Sequence, residues 1–141
     1  MARRLILDTG VLVASERGRS RLMDVIAEDD DLVIAAITVA ELRTGVELAT
    51  ERHRAARAAF LGKVLETLPV ETYDLATAEI HGQLLAHVHR SGTKRGAHDL
   101  IIAATASATK RIVLTTDRGA NFQDLPGVDC IVVACAVDAP H

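Results

Sequence analysis

A chain of 141 residues can bury one hydrophobic core but leaves little length for a second, so a single domain over 1–141 is expected. Apolar residues make up 49% and the formal charge is −3, which excludes a disordered acidic or basic tail protein and names no partner by gross electrostatics. No run approaches the roughly 18 apolar residues of a membrane span, and Asp8 interrupts the apolar stretch after Arg3 and Arg4, so a soluble, cytoplasmic protein is expected.

In chain order, "RLIL" is strand-compatible and stops at the turn signature Asp8-Thr9-Gly10, after which "VLVASERG" can open a short helix. "RSRLMDVIAEDD" carries apolar residues at 22, 23, 25, 26 and 27, a helical stripe, and Asp29-Asp30-Asp31 reads as a solvated turn. "DLVIAA" is a short all-apolar run, typical of a strand covered on both faces. Thr38 and Glu41 have the Ser/Thr-x-x-Glu spacing of a capping box, which starts a helix at Thr38. Residues 51–68 form a second, Ala-rich helix, and Pro69 stops it. "VETY" is a brief strand, Asp74 N-caps the next helix, and Ser91-Gly92 ends it. "AHDLIIAATASATK" is helical, "RIVLTT" is a strand reaching toward Asp117, and "CIVVA" is the last strand. Cys130 and Cys135, five apart in that run, point to opposite faces and read as buried thiols in a reducing compartment.

Strands alternating with helices predict a three-layer α/β/α domain with a mainly parallel central sheet. In such a sheet ligands lie beyond the carboxyl ends of the strands, where the following helices begin. Asp8, Glu41, Asp99 and Asp117 all fall on that edge. Each has a local alternative. Asp8 can start an Asx turn, Glu41 can complete the capping box, Asp99 can face a helix dipole, and Asp117 can be a turn residue. Their coincidence is the signal. Two carboxylates about 5 Å apart repel by roughly 3 kcal/mol at an effective dielectric near 20. Several together call for cations, and oxygen donors without cysteine or paired histidine favour Mg²⁺ or Mn²⁺ over zinc.

"LILDTGVLVA", "TVAELRTG", "GAHDLIIAA" and "LTTD" together resemble the PIN-domain ribonucleases, especially the VapC-type toxins of toxin-antitoxin pairs, over nearly the whole chain. The resemblance implies a metal-dependent endoribonuclease in which Asp8, Glu41, Asp99 and Asp117 are catalytic. Asp8, Asp99 and Asp117 would hold Mg²⁺ or Mn²⁺, and Thr115 would match a hydroxyl residue that supports the site. It also implies cleavage to 5′-phosphate and 3′-hydroxyl ends, an antitoxin whose tail enters the acidic crevice, and a homodimer, here assigned to the apolar faces of 39–49 and 52–68. One departure is visible: where such toxins often have an acid before Phe, Asn121 precedes Phe122, and asparagine cannot act as a base.

RNA contacts are expected from Lys94 and Arg95, just before Asp99, with Arg3, Arg4, Arg17, Arg19, Arg21, Arg43, Arg90 and Arg118 as further candidates. His98 beside Asp99 is a candidate phosphate contact. Only three aromatic residues exist, too few for a stacking platform across several bases. Two rival readings are a PIN-like RNA- or protein-binding module without nuclease activity, and a phosphoacceptor receiver domain. The second wants paired acids after strand one, where "ILDTG" offers a single acid.

Overall fold

The structure, a computed structural model, describes residues 2–18 and 21–134. Arg19 and Cys135, both singled out above, lie outside the described residues.

β1 (Arg4–Leu7) leads into α1 (Thr9–Glu16), and β2 (Asp31–Ala35) runs directly into α2 (Ala36–Leu48). α3 (Glu51–Thr67), the two-residue β3 (Val70–Glu71), α4 (Leu75–Ser91), α5 (Ala97–Ala108), β4 (Ile112–Thr115) and β5 (Cys130–Val132) follow. The five strands pair wholly in parallel in the order β3-β2-β1-β4-β5. β1 is therefore central. The chain builds one half of the sheet outward from β1 and then returns to build the other, so the topological switch lies between β1 and β4, where a parallel sheet opens a crevice.

The two-residue period of the strands sorts their side chains into two cores. Ile6, Val33 and Val113 face a cluster with Leu84 of α4, Leu100 and Ile102 of α5, and Phe122. Leu5, Leu7, Ile34 and Leu114 face the other, with Leu12, Leu42, Val46, Leu61 and Val64 from α1, α2 and α3. This is the expected three-layer α/β/α sandwich. Among the described residues no helix is long and apolar enough to cross a membrane.

Local signals hold where the partner is close in sequence. Asp74 accepts from the Thr77 amide at 3.0 Å and caps α4, and Gly92 ends that helix in the left-handed region with φ 69°. Three expectations are corrected. The stripe at 22–27 forms only a 3-10 turn, Leu22–Asp24. A helix there would end on Glu28 and three aspartates, with negative charge at the negative end of its dipole.

Nor is Asp29-Asp30-Asp31 a free turn: Asp30 takes Arg3 in a two-pronged pair at 2.9 and 2.6 Å, which holds its carboxyl down at about 2. Arg3 and Arg4, offered above as phosphate contacts, thereby stand at the amino end of β1, the edge opposite the four acids. The third correction is α2. It starts at Ala36, so Thr38 is inside the helix and the capping box does not form.

At that same amino edge Arg111, only 7% exposed, enters the sheet from beneath β4 and donates to the Asp31 carbonyl at 3.1 Å. Its guanidinium also has Asp31 Oδ2 at 3.5 Å and Glu71 Oε1 at 3.8 Å. A buried guanidinium requires such partners, and here they tie β4 to β2 and β3.

Candidate active site

Asp8 is the first residue past the central strand. Its amide still donates to the Leu114 carbonyl at 2.9 Å, so the sheet fixes its backbone. Although it occupies the N-cap position of α1, its carboxylate makes no capping bond and instead accepts the Thr115 hydroxyl at 2.8 Å. The residue is 6% exposed. Burial pushes its carboxyl up to about 6; the Thr115 hydroxyl opposes the rise, the charge of Asp99 adds to it, the Thr9 amide opposes it, and Glu41 adds to it.

Asp99 stands in the first turn of α5 and is half-buried. Its carboxyl is also raised, first by burial, then by the charges of Asp117 and Glu41, with His98 pulling the other way. Gly96, the N-cap of α5, lies against this carboxylate so closely that a Cβ would sit 2.8 Å from Asp99 Oδ2. Only glycine admits that approach without displacing the acid.

Asp117 lies two residues past β4 and is exposed. Its Oδ1 accepts the Gly119 amide at 2.8 Å, and its own amide donates to Thr115 Oγ1 at 3.0 Å. Thr115, fully buried, thus links Asp117 to Asp8. Thr115→Val removes both bonds. The Asp8 carboxyl is then expected above its present position near 6, with about 1–3 kcal/mol of stability lost. Carboxyl-carbon NMR titration and thermal melting read the two effects.

Glu41, in the second turn of α2, reaches across to α1, where the Thr9 hydroxyl donates to its Oε1 at 2.8 Å. Thr9 Oγ1 also lies 3.0 Å from Thr38 Oγ1. A hydroxyl has one proton to give, so Thr9 gives it to the carboxylate and accepts Thr38's. The role expected for Thr38, capping its own helix, is replaced by this relay. On the far side, His98 Nδ1 lies 3.4 Å from Glu41 Oε2.

All four acids therefore meet on one edge and act on one another electrostatically, although among the described residues no three acid, histidine or cysteine side chains yet converge tightly enough to enclose an ion. The donor chemistry suits a hard divalent cation: burial first and the charges of neighbouring acids second raise Asp8 and Asp99, and added positive charge opposes both.

Lys94 is exposed in the segment leading to α5. Arg95 has a different position from the one expected of a phosphate contact. Its Nη1 donates to the carbonyls of Ala120 and Asn121 at 2.8 and 2.7 Å, pinning the loop that follows Asp117. Asn121 takes the left-handed conformation there, φ 50°, which asparagine tolerates better than most residues. Its place in the sequence is thus explained by the turn. Thr9, Thr38 and Gly96 were not anticipated as site residues; the adjacency of Thr9 to Asp8, and of Gly96 to the start of α5, were the available signals.

A family model described as the PIN domain matches residues 5–128. The chain belongs to the PIN-domain family. Within that family it groups with VapC-type members. This PIN domain is 39% identical over 115 residues to Ribonuclease VapC5 of Mycobacterium tuberculosis, covering 79% of the chain and 82% of that protein. It is 34% identical over 99 residues to the tRNA(fMet)-specific endonuclease VapC of Salmonella typhimurium, covering 69% of the chain and 71% of that protein. In three dimensions the PIN domain is similar to VapBC-5, a toxin-antitoxin system from Mycobacterium tuberculosis, with a TM-score of 0.77 at 30% identity over 92% of this chain and 98% of that one. The structure of VapBC2 from Rickettsia felis bound to a promoter DNA fragment shares the fold, with a TM-score of 0.83 at 20% identity over 92% of this chain and 98% of that one.

Proposed function

We propose that this VapC-type PIN domain is the toxin of a toxin-antitoxin pair, an endoribonuclease that hydrolyses RNA phosphodiester bonds with Mg²⁺ or Mn²⁺. The observation that carries the reading is the gathering of Asp8, Glu41, Asp99 and Asp117 at the carboxyl edge of a PIN fold, where burial first and neighbouring negative charge second raise the carboxyls of Asp8 and Asp99. Kinship with named ribonucleases supports the nuclease over a silent binding module.

Asp8, Asp99 and Asp117 would hold the ion, with Glu41 completing the set. When bound, the ion supplies Lewis-acid charge for a phosphate oxygen and acidifies water. The chain's own contribution is placement. β1 and the Thr115 hydroxyl fix Asp8. Thr115 and Gly119 fix Asp117, and Thr9 aims Glu41, whose carboxylate can accept a proton from the attacking water. Exposed Lys94 and Arg118 flank the edge as phosphate contacts.

Purified protein incubated with structured RNA is expected to cut it in Mg²⁺ or Mn²⁺ and not in EDTA, with Asp99→Asn inactive in all three. Equal cutting by both proteins under every condition would refute the proposal.

The reading includes a cytoplasmic location and a cognate antitoxin. An apolar groove lined by Leu12, Leu22, Met23, Ile26, Phe60 and Leu68 supports docking of an amphipathic antitoxin helix. It also includes self-association, but the faces of α2 and α3 assigned to it are largely consumed inside. Leu42, Val46, Leu61 and Val64 are core, leaving Leu48 and Leu65 outermost.

A further inference from the structure

We infer that Arg95 is a positioning residue: by tying the turn after Asp117 to the segment that enters α5, it fixes the place of the Asp117 carboxylate relative to that of Asp99. The inference rests on the nuclease reading of this site and adds a residue to it.

Asp117 stands two residues beyond β4 and is exposed, so the sheet does not hold its side chain. Thr115 fixes its amide, but the carboxylate takes its direction from Gly119, whose amide donates to Oδ1 at 2.8 Å. Gly119 is the middle of a single 3-10 turn, Arg118–Ala120. That turn closes itself loosely. The Ala120 amide lies 3.4 Å from the Asp117 carbonyl and the Asn121 amide 3.3 Å from that of Arg118, both longer than the roughly 3.0 Å typical of an amide hydrogen bond.

Arg95 closes the turn from outside. Its Nη1 carries two protons and gives one to each of the Ala120 and Asn121 carbonyls, at 2.8 and 2.7 Å. Bonds from an ionised donor are shorter and about twice as strong as neutral ones, so the guanidinium is a firmer hold than the turn's own pair. The two carbonyls flank the left-handed Asn121 that ends the turn, φ 50°, and the grip therefore holds that bend as well.

At its other end Arg95 immediately precedes Gly96, the N-cap of α5, against which the Asp99 carboxylate packs. One side chain thus spans from the backbone that seats Asp99 to the turn that aims Asp117. The charge of Asp117 is felt at Asp99, and like charges left untied move apart. A phosphate contact would keep its donors in solvent. Arg95 is instead half-buried, and its Nε is enclosed without a hydrogen-bond partner among the described residues. An unpaired buried donor carries a cost, which the two carbonyl bonds at Nη1 offset.

Arg95→Met keeps an unbranched apolar stem and removes every donor, and Arg95→Lys restores the charge and three donors. In the EDTA-treated protein, exchange of the Gly119 amide with solvent deuterium is expected to be about tenfold faster in Arg95→Met and close to wild type in Arg95→Lys. The Asp8 amide, bonded to the Leu114 carbonyl, should be unchanged in both. Calorimetric titration with Mn²⁺ alone should show about tenfold weaker binding by Arg95→Met, recovered in Arg95→Lys. Cutting of a short RNA by Arg95→Met should fall at limiting Mn²⁺ and return at saturating Mn²⁺, with KM for the RNA unchanged. Loss of a phosphate contact would do the reverse, raising KM at every Mn²⁺ concentration and leaving Mn²⁺ affinity alone. That pattern would overturn the inference, as would unchanged Gly119 exchange, unchanged Mn²⁺ affinity, or exchange that rises equally at Asp8. A wild-type protein that neither takes Mn²⁺ nor cuts RNA removes the nuclease reading instead, and the Gly119 exchange then decides the tie by itself.

Discussion

Asp8→Asn is expected to abolish RNA cleavage and, at the same time, to make the metal-free protein more stable at neutral pH. The activity loss should reach about 10³-fold, since a lost carboxylate donor forfeits several kcal/mol of charge stabilisation. The gain in stability follows from the raised carboxyl. Asp8 is 6% exposed and its folded pKa is about 6, against 3.8 for the free side chain. A carboxyl that is harder to ionise in the folded state stabilises the fold while protonated, and that contribution fades as pH climbs through the folded pKa. Below about pH 4 the group therefore imposes no cost; the cost grows from about pH 4 to 6 and is constant above, on the order of 3 kcal/mol.

Asparagine cannot ionise, and its oxygen can still accept the Thr115 hydroxyl. The difference in melting temperature between Asp8→Asn and wild type, both in EDTA, should be near zero at about pH 4 and positive at about pH 8. Taking the difference cancels Asp30, whose pairing with Arg3 stabilises the fold above its unfolded pKa and is lost as pH falls toward about 2. Adding Mg²⁺ should then raise the wild-type melting temperature and leave the variant's unchanged. A variant less stable than wild type at about pH 8 would mean that ionised Asp8 carries no strain.

Phe122→Ala should give the largest loss of stability. The ring is 0% exposed and belongs to the core beneath α4 and α5. Truncating a buried phenylalanine costs about 3–5 kcal/mol, a large share of the roughly 5–15 kcal/mol that holds a domain folded. For a domain of this size the melting temperature should fall by roughly 10–15 °C. Phe122→Leu, which keeps most of the volume, should recover more than half.

The position also matters for the site. Phe122 immediately follows Asn121, whose carbonyl Arg95 grips, so the ring and the guanidinium together hold the loop that begins at Asp117. Phe122→Leu is accordingly expected to cut RNA at close to the wild-type rate below its melting temperature. A shift of only a degree or two for the alanine variant would mean that the ring is not the anchor described.

How far the sequence could be read depended on the distance to each residue's partner. The strand ending at Asp8, the Asp74 and Gly92 caps and the stop before Pro69 rest on neighbours within a few positions, and all appear as expected. The four acids share an edge because topology alone sends strand ends and helix starts there. What misled was pattern shared between local and distant roles. Thr38 and Glu41 have capping-box spacing, yet both turn to Thr9, about 30 positions away in the chain, because the Asp8 turn packs against α2. Asp30 looks like a solvated turn residue until Arg3, just before β1, arrives beside it. Arg95 resembles a phosphate contact, and only the fold brings the Ala120 and Asn121 carbonyls to it.

The sheet's outer strands bear on how partners can attach. β3 has two residues and β5 has three, so either border offers a visiting peptide only a rung or two of backbone pairing. Recognition by strand addition is thereby disfavoured, and a protein that silences this domain must grip side chains along its helices and grooves, whose pattern can diverge without disturbing the frame.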